Sequence, residues 1–180
     1  KHVDITLKIE GFYKNPSNSY HTFNINGSNK TRLITAPSKI LKRRQRWILD
    51  NILSQLPVSN FSYGFETGDS IKKNALLHAK NDYVICMDIE NFFPSIKQES
   101  ITNIFKNAGY TTSAAQRLSD LCCYNGTLPQ GAPTSPRLAN IVCKNLDIEL
   151  NKVAEKFEAI FSRYADDLTF SSKSDITNII

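Results

Sequence analysis

The 180-residue chain predicts an α+β fold, an antiparallel sheet with helices packed on one face and the other face left free. Three observations carry that prediction. Phe161-Ser162-Arg163-Tyr164-Ala165-Asp166-Asp167-Leu168-Thr169-Phe170 reads as an apolar strand, a tight turn bearing two acids and a second apolar strand, hence a hairpin. Tyr83-Val84-Ile85-Cys86-Met87-Asp88 is almost continuously apolar and ends in a third acid, which predicts a central strand covered on both faces. Between and before these runs lie segments of helical periodicity.

In chain order, Tyr20 to Asn26 and Thr31 to Ala36 alternate apolar and polar around Gly27-Ser28-Asn29, a second hairpin. Ser38 is placed to N-cap a helix with apolar positions Ile40, Leu41, Ile48, Leu49, Ile52, Leu53 and Leu56, closed by Pro57. Lys42, Arg43, Arg44 and Arg46 decorate its exposed side, and Trp47 reads as core. Residues 61–68 read as a loop, followed by a short helix to about Ala79. Helices are expected near 97–108, stopped by Gly109, and near 113–123. Leu128 to Pro136 is too rich in Pro and Gly to be regular. Ser135 as N-cap and Pro136 at the first helical position then start one long helix, with Leu138, Ile141, Val142, Leu146, Leu150, Val153 and Phe157 as its core stripe.

Composition narrows the function classes. No apolar run approaches the ~20 residues of a membrane span, and no signal peptide opens the chain. Cys86, Cys122, Cys123 and Cys143 lack metal-ligand spacing and sit in apolar contexts, so they read as reduced core residues of a cytoplasmic protein. Residues 1–80 carry 13 Lys/Arg against 5 Asp/Glu, whereas residues 81–180 carry 9 against 12. A basic front joined to an acid-bearing back fits a nucleic-acid binder with a metal site in its second part, although solvated surface charge would look the same.

Adjacent carboxylates repel unless something positive holds them. Asp166 and Asp167 in a turn, with Asp88 at a strand end, suit a two-metal phosphoryl-transfer site. An isolated acidic pair is more often a solvated turn; Asp88 at the end of an apolar strand weakens that alternative.

Tyr164-Ala165-Asp166-Asp167 resembles the YxDD box of reverse transcriptases. Asp88-Ile89-Glu90-Asn91-Phe92-Phe93-Pro94-Ser95 is similar to their first catalytic strand, Leu128 to Pro136 to their nucleotide-pocket loop, and Arg32-Leu33-Ile34 with Pro37-Ser38 to their fingers segment. Asn74-Ala75-Leu76-Leu77-His78, Ser62-Tyr63-Gly64-Phe65-Glu66 and Leu121-Cys122-Cys123-Tyr124 resemble the retron-type bacterial branch. The resemblance implies right-hand polymerase fingers over residues 1–80 and palm over 81–180. The primer-grip segment, the VTG element and the thumb lie outside these residues, which predicts weak or no polymerisation by the 180 residues alone.

The resemblance also implies an RNA-directed DNA polymerase that uses two Mg²⁺ ions, dNTPs and a structured non-coding RNA as template and primer. Its product is DNA, it has no membrane partner, and antiphage defence with an effector protein is the associated setting. Asp88 and Asp166 would bridge both metals, the carbonyl of Ile89 would help one ion, and Asp167 would be the weaker ligand. Arg32 and Lys39, with Lys30 as the alternative to Lys39, would reach the β- and γ-phosphates. Phe93 would pack under the incoming sugar and exclude a 2′-hydroxyl, leaving Phe92 in the core. Gln130 and Gly131 would line the nucleotide pocket. Asn74 and His78 share a helix face; they would contact RNA or the fingers–palm junction, unless His78 instead satisfies last-turn carbonyls, and Arg43 and Arg44 would contact RNA. The alternatives are a group II intron-like enzyme, against which Asn74 to His78 speaks, and a non-catalytic RNA-binding scaffold, which has no use for clustered acids.

Overall fold

A computed structural model describes residues 19–26 and 31–179, the side chains of Asn26, Thr31 and Arg32 excepted. Gly27-Ser28-Asn29 and Lys30 lie outside the described residues. In chain order the elements are β1 (Tyr20–Asn26), β2 (Thr31–Pro37), α1 (Lys39–Asn51), α2 (Ile71–His78), β3 (Tyr83–Asp88), α3 (Phe92–Ser95), α4 (Gln98–Asn107), α5 (Thr112–Cys122), α6 (Ser135–Val142), α7 (Lys144–Lys156), β4 (Ile160–Tyr164) and β5 (Asp167–Ser172). They pack as two compact units, one reaching to Leu53 and resuming over Phe93–Ser135, the other made of Ser54–Phe92 and the chain from Pro136.

In the first unit β1 and β2 form the expected antiparallel hairpin. Ser38 caps α1 as its sequence predicts, its hydroxyl oxygen accepting from the Leu41 N–H at 3.4 Å. Leu41, Gln45 and Ile48 line the buried face of α1. The Gln45 side-chain amide is fixed there, donating to the Tyr20 hydroxyl at 2.8 Å and to the Leu121 carbonyl at 2.9 Å. Two positions expected in the core are not in it: Ile40 and Trp47 are 63% and 43% exposed. Each precedes a buried residue, Leu41 or Ile48, and so lies about 100° round the helix from it. α4 stops where Gly109 takes φ +93°, and α5 starts with the Thr111 side chain accepting from the Ala114 N–H. Ile101, Phe105, Leu118 and Cys122 close the core of this unit. The hydroxyl of Ser135 does not cap the next helix but donates back to the Pro129 carbonyl at 2.7 Å, drawing the Pro/Gly-rich loop into a closed turn.

The second unit holds a three-stranded antiparallel sheet in the order β3-β5-β4. The run expected to be the central strand is therefore an edge: Tyr83, Val84 and Cys86 of β3 are exposed, and β5 takes the centre. A continuous apolar run states what a strand can bury, not what comes to cover it. On one sheet face Phe161, Leu168 and Phe170 pack with Ala154, Leu150 and Phe157 of the α7 region. α2 adds cover over β4 and β5. The long helix expected from Ser135 is two helices, broken at Cys143 where ψ is −5°. Beyond the break the buried face shifts by one residue, so Leu146 is exposed and Asp147 is fully buried.

Candidate active site

The second hairpin turns through two residues, Ala165 and Asp166, between the last paired residues Tyr164 and Asp167. Ala165 takes φ +60°, the left-handed conformation such tight turns require. Asp88 stands directly opposite Asp167 across β3 and β5. Opposed residues of an antiparallel pair share a face, so both carboxylates leave the sheet on the same side. The Ile89 N–H donates to the Asp166 carbonyl at 3.0 Å, tying the end of β3 to the turn. The chain thus gathers Asp88, Ile89, Asp166 and Asp167 at one end of one sheet.

The electrostatics of that end are strained. Partial burial, then the charges of Asp166 and Asp88, push the Asp167 carboxyl above its ordinary pKa. No described Lys or Arg forms an ion pair with any of the three acids. Among the described residues no group of three or more His, Cys, Asp or Glu side chains is closed around a metal position. The donor set still suits Mg²⁺, which takes hard oxygen ligands, keeps several waters and asks for one or two carboxylates plus substrate phosphates.

A polar network behind the turn was not predicted. Arg163, fully buried, donates from Nε and Nη2 to Asp147 and from Nη1 to the Asn140 Oδ1 at 3.1 Å and the Ala165 carbonyl at 2.9 Å. Asn140 accepts also from Ser62 and donates to the Gly64 carbonyl and to Glu66, which in turn pairs with Arg137. Residues 61–64, expected as plain loop, run beside β4: Arg163 N–H donates to Phe61 O and Tyr63 N–H to Arg163 O, each at 2.8 Å. Gly64 meets the turn so closely that a Cβ there would stand 2.7 Å from the Ala165 nitrogen. The available signal was an Arg inside an apolar strand and an Asp interrupting an apolar helix stripe.

The nucleotide-pocket candidates belong to the first unit, and the three acids to the second. Arg32 pairs with Ile25 in the hairpin, its side chain lying outside the described residues. Lys39 opens α1 and is exposed. The Thr35 N–H donates to the Gln130 carbonyl at 2.8 Å, which docks the Pro/Gly-rich loop on β2. Gly131 has φ +127°, and a Cβ on it would stand 3.1 Å from both Ile34 Cγ2 and the Thr35 carbonyl oxygen. The close approach that Gly131 permits is therefore to β2. Phe93 is half-buried in α3, while Phe92 is buried, with the Arg163 guanidinium 5.9 Å from its ring centroid.

His78 is buried, its Nδ1 and Nε2 each 2.7 Å from a hydroxyl, of Ser171 and Ser162 respectively. Ser171 also accepts from the Asn81 side-chain amide at 2.7 Å. Both ring nitrogens are thus engaged by hydroxyls of β4 and β5, not by last-turn carbonyls. Asn74 is half-buried, and its Oδ1 is buried with no hydrogen-bond partner among the described residues. Arg43 is exposed; Arg44 is half-buried, and desolvation lowers its pKa. All four cysteines are free, three of them buried, while Cys86, expected in the core, is exposed on the edge strand. Among the described residues no helix is long and apolar enough to cross a membrane.

Residues 15–179 match the reverse transcriptase (RNA-dependent DNA polymerase) family. The chain is 43% identical to the Retron Ec86 reverse transcriptase of Escherichia coli over 81% of its own length and 45% of the relative's. It is 37% identical to the Retron Mx162 reverse transcriptase of Myxococcus xanthus, over 78% of this chain and 33% of that one. The Retron Ec73 reverse transcriptase of Escherichia coli is 39% identical over 78% and 49%. The chain therefore spans less than half the length of these relatives. Among solved structures, a telomerase from Candida albicans in complex with a fragment of telomeric RNA shares the fold, with TM-score 0.55 and 10% identity over 89% of this chain and 38% of that one. The chain belongs to the reverse transcriptase (RNA-dependent DNA polymerase) family, and the relatives named here are of its retron type.

Proposed function

We propose that the protein carrying this chain synthesises DNA from dNTPs on a structured RNA, as a retron-type reverse transcriptase. The observation that supports it best is the clustering of Asp88 and Asp167 across two strands, with Asp166 in the adjoining turn. Their mutual repulsion, felt at Asp167, is what bound divalent cations would relieve. Asp88, Asp166 and Asp167, with the Ile89 carbonyl, are the residues that would hold Mg²⁺. A divalent ion held there would supply the positive charge that lowers the pKa of a primer 3′-hydroxyl and offsets the charge of a departing pyrophosphate.

The remaining roles belong to the chain's own groups. Arg32 and Lys39 bind triphosphate oxygens, the first by bidentate bonding and the second as a point charge. Phe93 offers an apolar ring where a ribose 2′-hydroxyl would sit. Gln130 contacts the nucleotide by its side-chain amide, since its carbonyl is committed to Thr35. Arg163 keeps the Ala165 carbonyl, and with it the acid turn, in place. In this reading residues 1–80 act as fingers and 81–180 as palm, a functional division that cuts across the two packing units. The partners are a structured non-coding RNA and an effector protein in antiphage defence; the buried free cysteines suit the reducing cytoplasm.

Primer extension by the full-length protein tests the proposal. Extension on an RNA template with dNTPs, dependent on Mg²⁺ and abolished by chelation, is expected. Tight RNA binding with no dNTP incorporation would instead establish a scaffold.

A further inference from the structure

The geometry points to α1 as a docking face for single-stranded RNA, with the exposed Trp47 ring as stacking platform for one base and Lys42, Arg43 and Arg46 holding the flanking phosphates. We infer this on top of the reading above: it rests on an RNA partner and names where that partner seats.

Four observations meet on this helix. Lys42, Arg43 and Arg46 are all exposed and lie within an arc of about 100° round the helix. None of the three forms an ion pair with a described residue. Trp47 borders that face four residues beyond Arg43 and is 43% exposed, and Ile40, two turns earlier, is 63% exposed. The opposite face is pinned by buried Leu41 and Ile48 and by the two hydrogen bonds of Gln45, so the helix cannot roll to hide the tryptophan.

A large aromatic left in water beside cations that have no ion-pair partner among the described residues is poorly placed for an isolated chain. It is the combination that single-stranded nucleic acid uses: cations track the backbone while a ring receives an unstacked base. A duplex would use the cations and leave the ring idle. An apolar protein partner would have to bury three charges, which is costly. The excess of 13 basic over 5 acidic side chains in residues 1–80 adds a field of the matching sign.

Trp47 is the only tryptophan of the 180 residues, so its fluorescence reports this face alone. The 180-residue chain is titrated with a 12-nucleotide single-stranded RNA, a 12-base-pair RNA duplex and anionic phospholipid vesicles. Quenching by the single strand, weaker quenching by the duplex and none by vesicles is expected. Trp47→Ala is expected to weaken single-strand binding roughly tenfold, within the range of one base–aromatic stack, and Trp47→Tyr to restore most of it. Lys42→Glu with Arg43→Glu is expected to weaken binding and to flatten its salt dependence by about one to two phosphate equivalents. RNA binding that leaves the fluorescence unchanged and survives both sets of substitutions would overturn this surface while leaving an RNA partner in place. A fluorescence response to vesicles but not to RNA would overturn it in favour of a membrane face. No RNA binding by the unaltered chain would remove the RNA partner from these residues, and this surface with it.

Discussion

The guanidinium of Arg163 meets the carboxylate of Asp147 with two parallel hydrogen bonds, of 2.7 and 2.9 Å, and both side chains are fully buried. The pair joins α7 to β4, and the same guanidinium reaches past the strand to the Ala165 carbonyl in the acid-bearing turn. Helix register and turn geometry therefore share one anchor.

Breaking that pair leaves a buried charge without a partner. Arg163→Met is expected to cost about 3–5 kcal/mol, and Asp147→Leu a similar amount. The double variant is expected to regain most of the stability, because neither charge is then stranded. It is still expected to extend primers poorly, since the Ala165 carbonyl has lost its donor. Urea unfolding and primer extension on the same three variants separate the two effects. Wild-type extension by the double variant would show that the turn keeps its shape without Arg163.

His78 sets a pH dependence. Burial lowers its pKa below the ordinary value of about 6.5, so the fold favours the neutral ring that bridges Ser162 and Ser171. A lowered native pKa contributes stability that is present in full above the ordinary value and lost as pH falls through the native one. His78→Gln, which keeps a donor and an acceptor without a titrating group, is expected to narrow the difference in urea midpoint between pH 7.5 and pH 5. An unchanged difference would place the acid sensitivity in the carboxylates alone.

Much of this architecture is legible where neighbours in sequence decide it. Ser38 caps a helix, Gly109 ends one, and the hairpin between two apolar runs carries Asp166 in its turn and Asp167 at the start of its second strand. What is not legible depends on distant partners. The apolar stripe from Leu138 to Phe157 keeps its period, so nothing local announces the break at Cys143 or the burial of Asp147, whose partner lies sixteen residues on. The edge position of β3 depends on β5 pairing between it and β4. Trp47 looks like core by residue type and is exposed because Ile48, its neighbour, takes the inward position. For the candidate site, the three acids could be named from sequence, whereas the Arg163–Asn140–Gly64 network behind them could not.

In the proposed function Phe93, half-buried in α3 next to buried Phe92, is the residue that would select the sugar. Shape-based exclusion of one hydroxyl is worth a few kcal/mol, roughly a hundredfold in efficiency. Phe93→Ala is expected to raise rNTP use relative to dNTP use by up to about that factor, with some loss of dNTP efficiency from the missing ring. Competition kinetics with paired dNTP and rNTP substrates measure the ratio. An unchanged ratio would move the selecting ring elsewhere.

Asp88, opposite Asp167, is expected to take part in the chemistry and not in the fold or in RNA capture. Asp88 is exposed at its strand end, so Asp88→Asn removes a charge while keeping size and leaves the core intact. Dinucleotide-level primer extension and RNA affinity, measured side by side on full-length protein, give the most direct test. Extension is expected to fall by about a hundredfold to a thousandfold or more, on the scale of a lost electrostatic contact to the reacting groups, with RNA affinity unchanged. Extension within a few-fold of wild type would contradict the account.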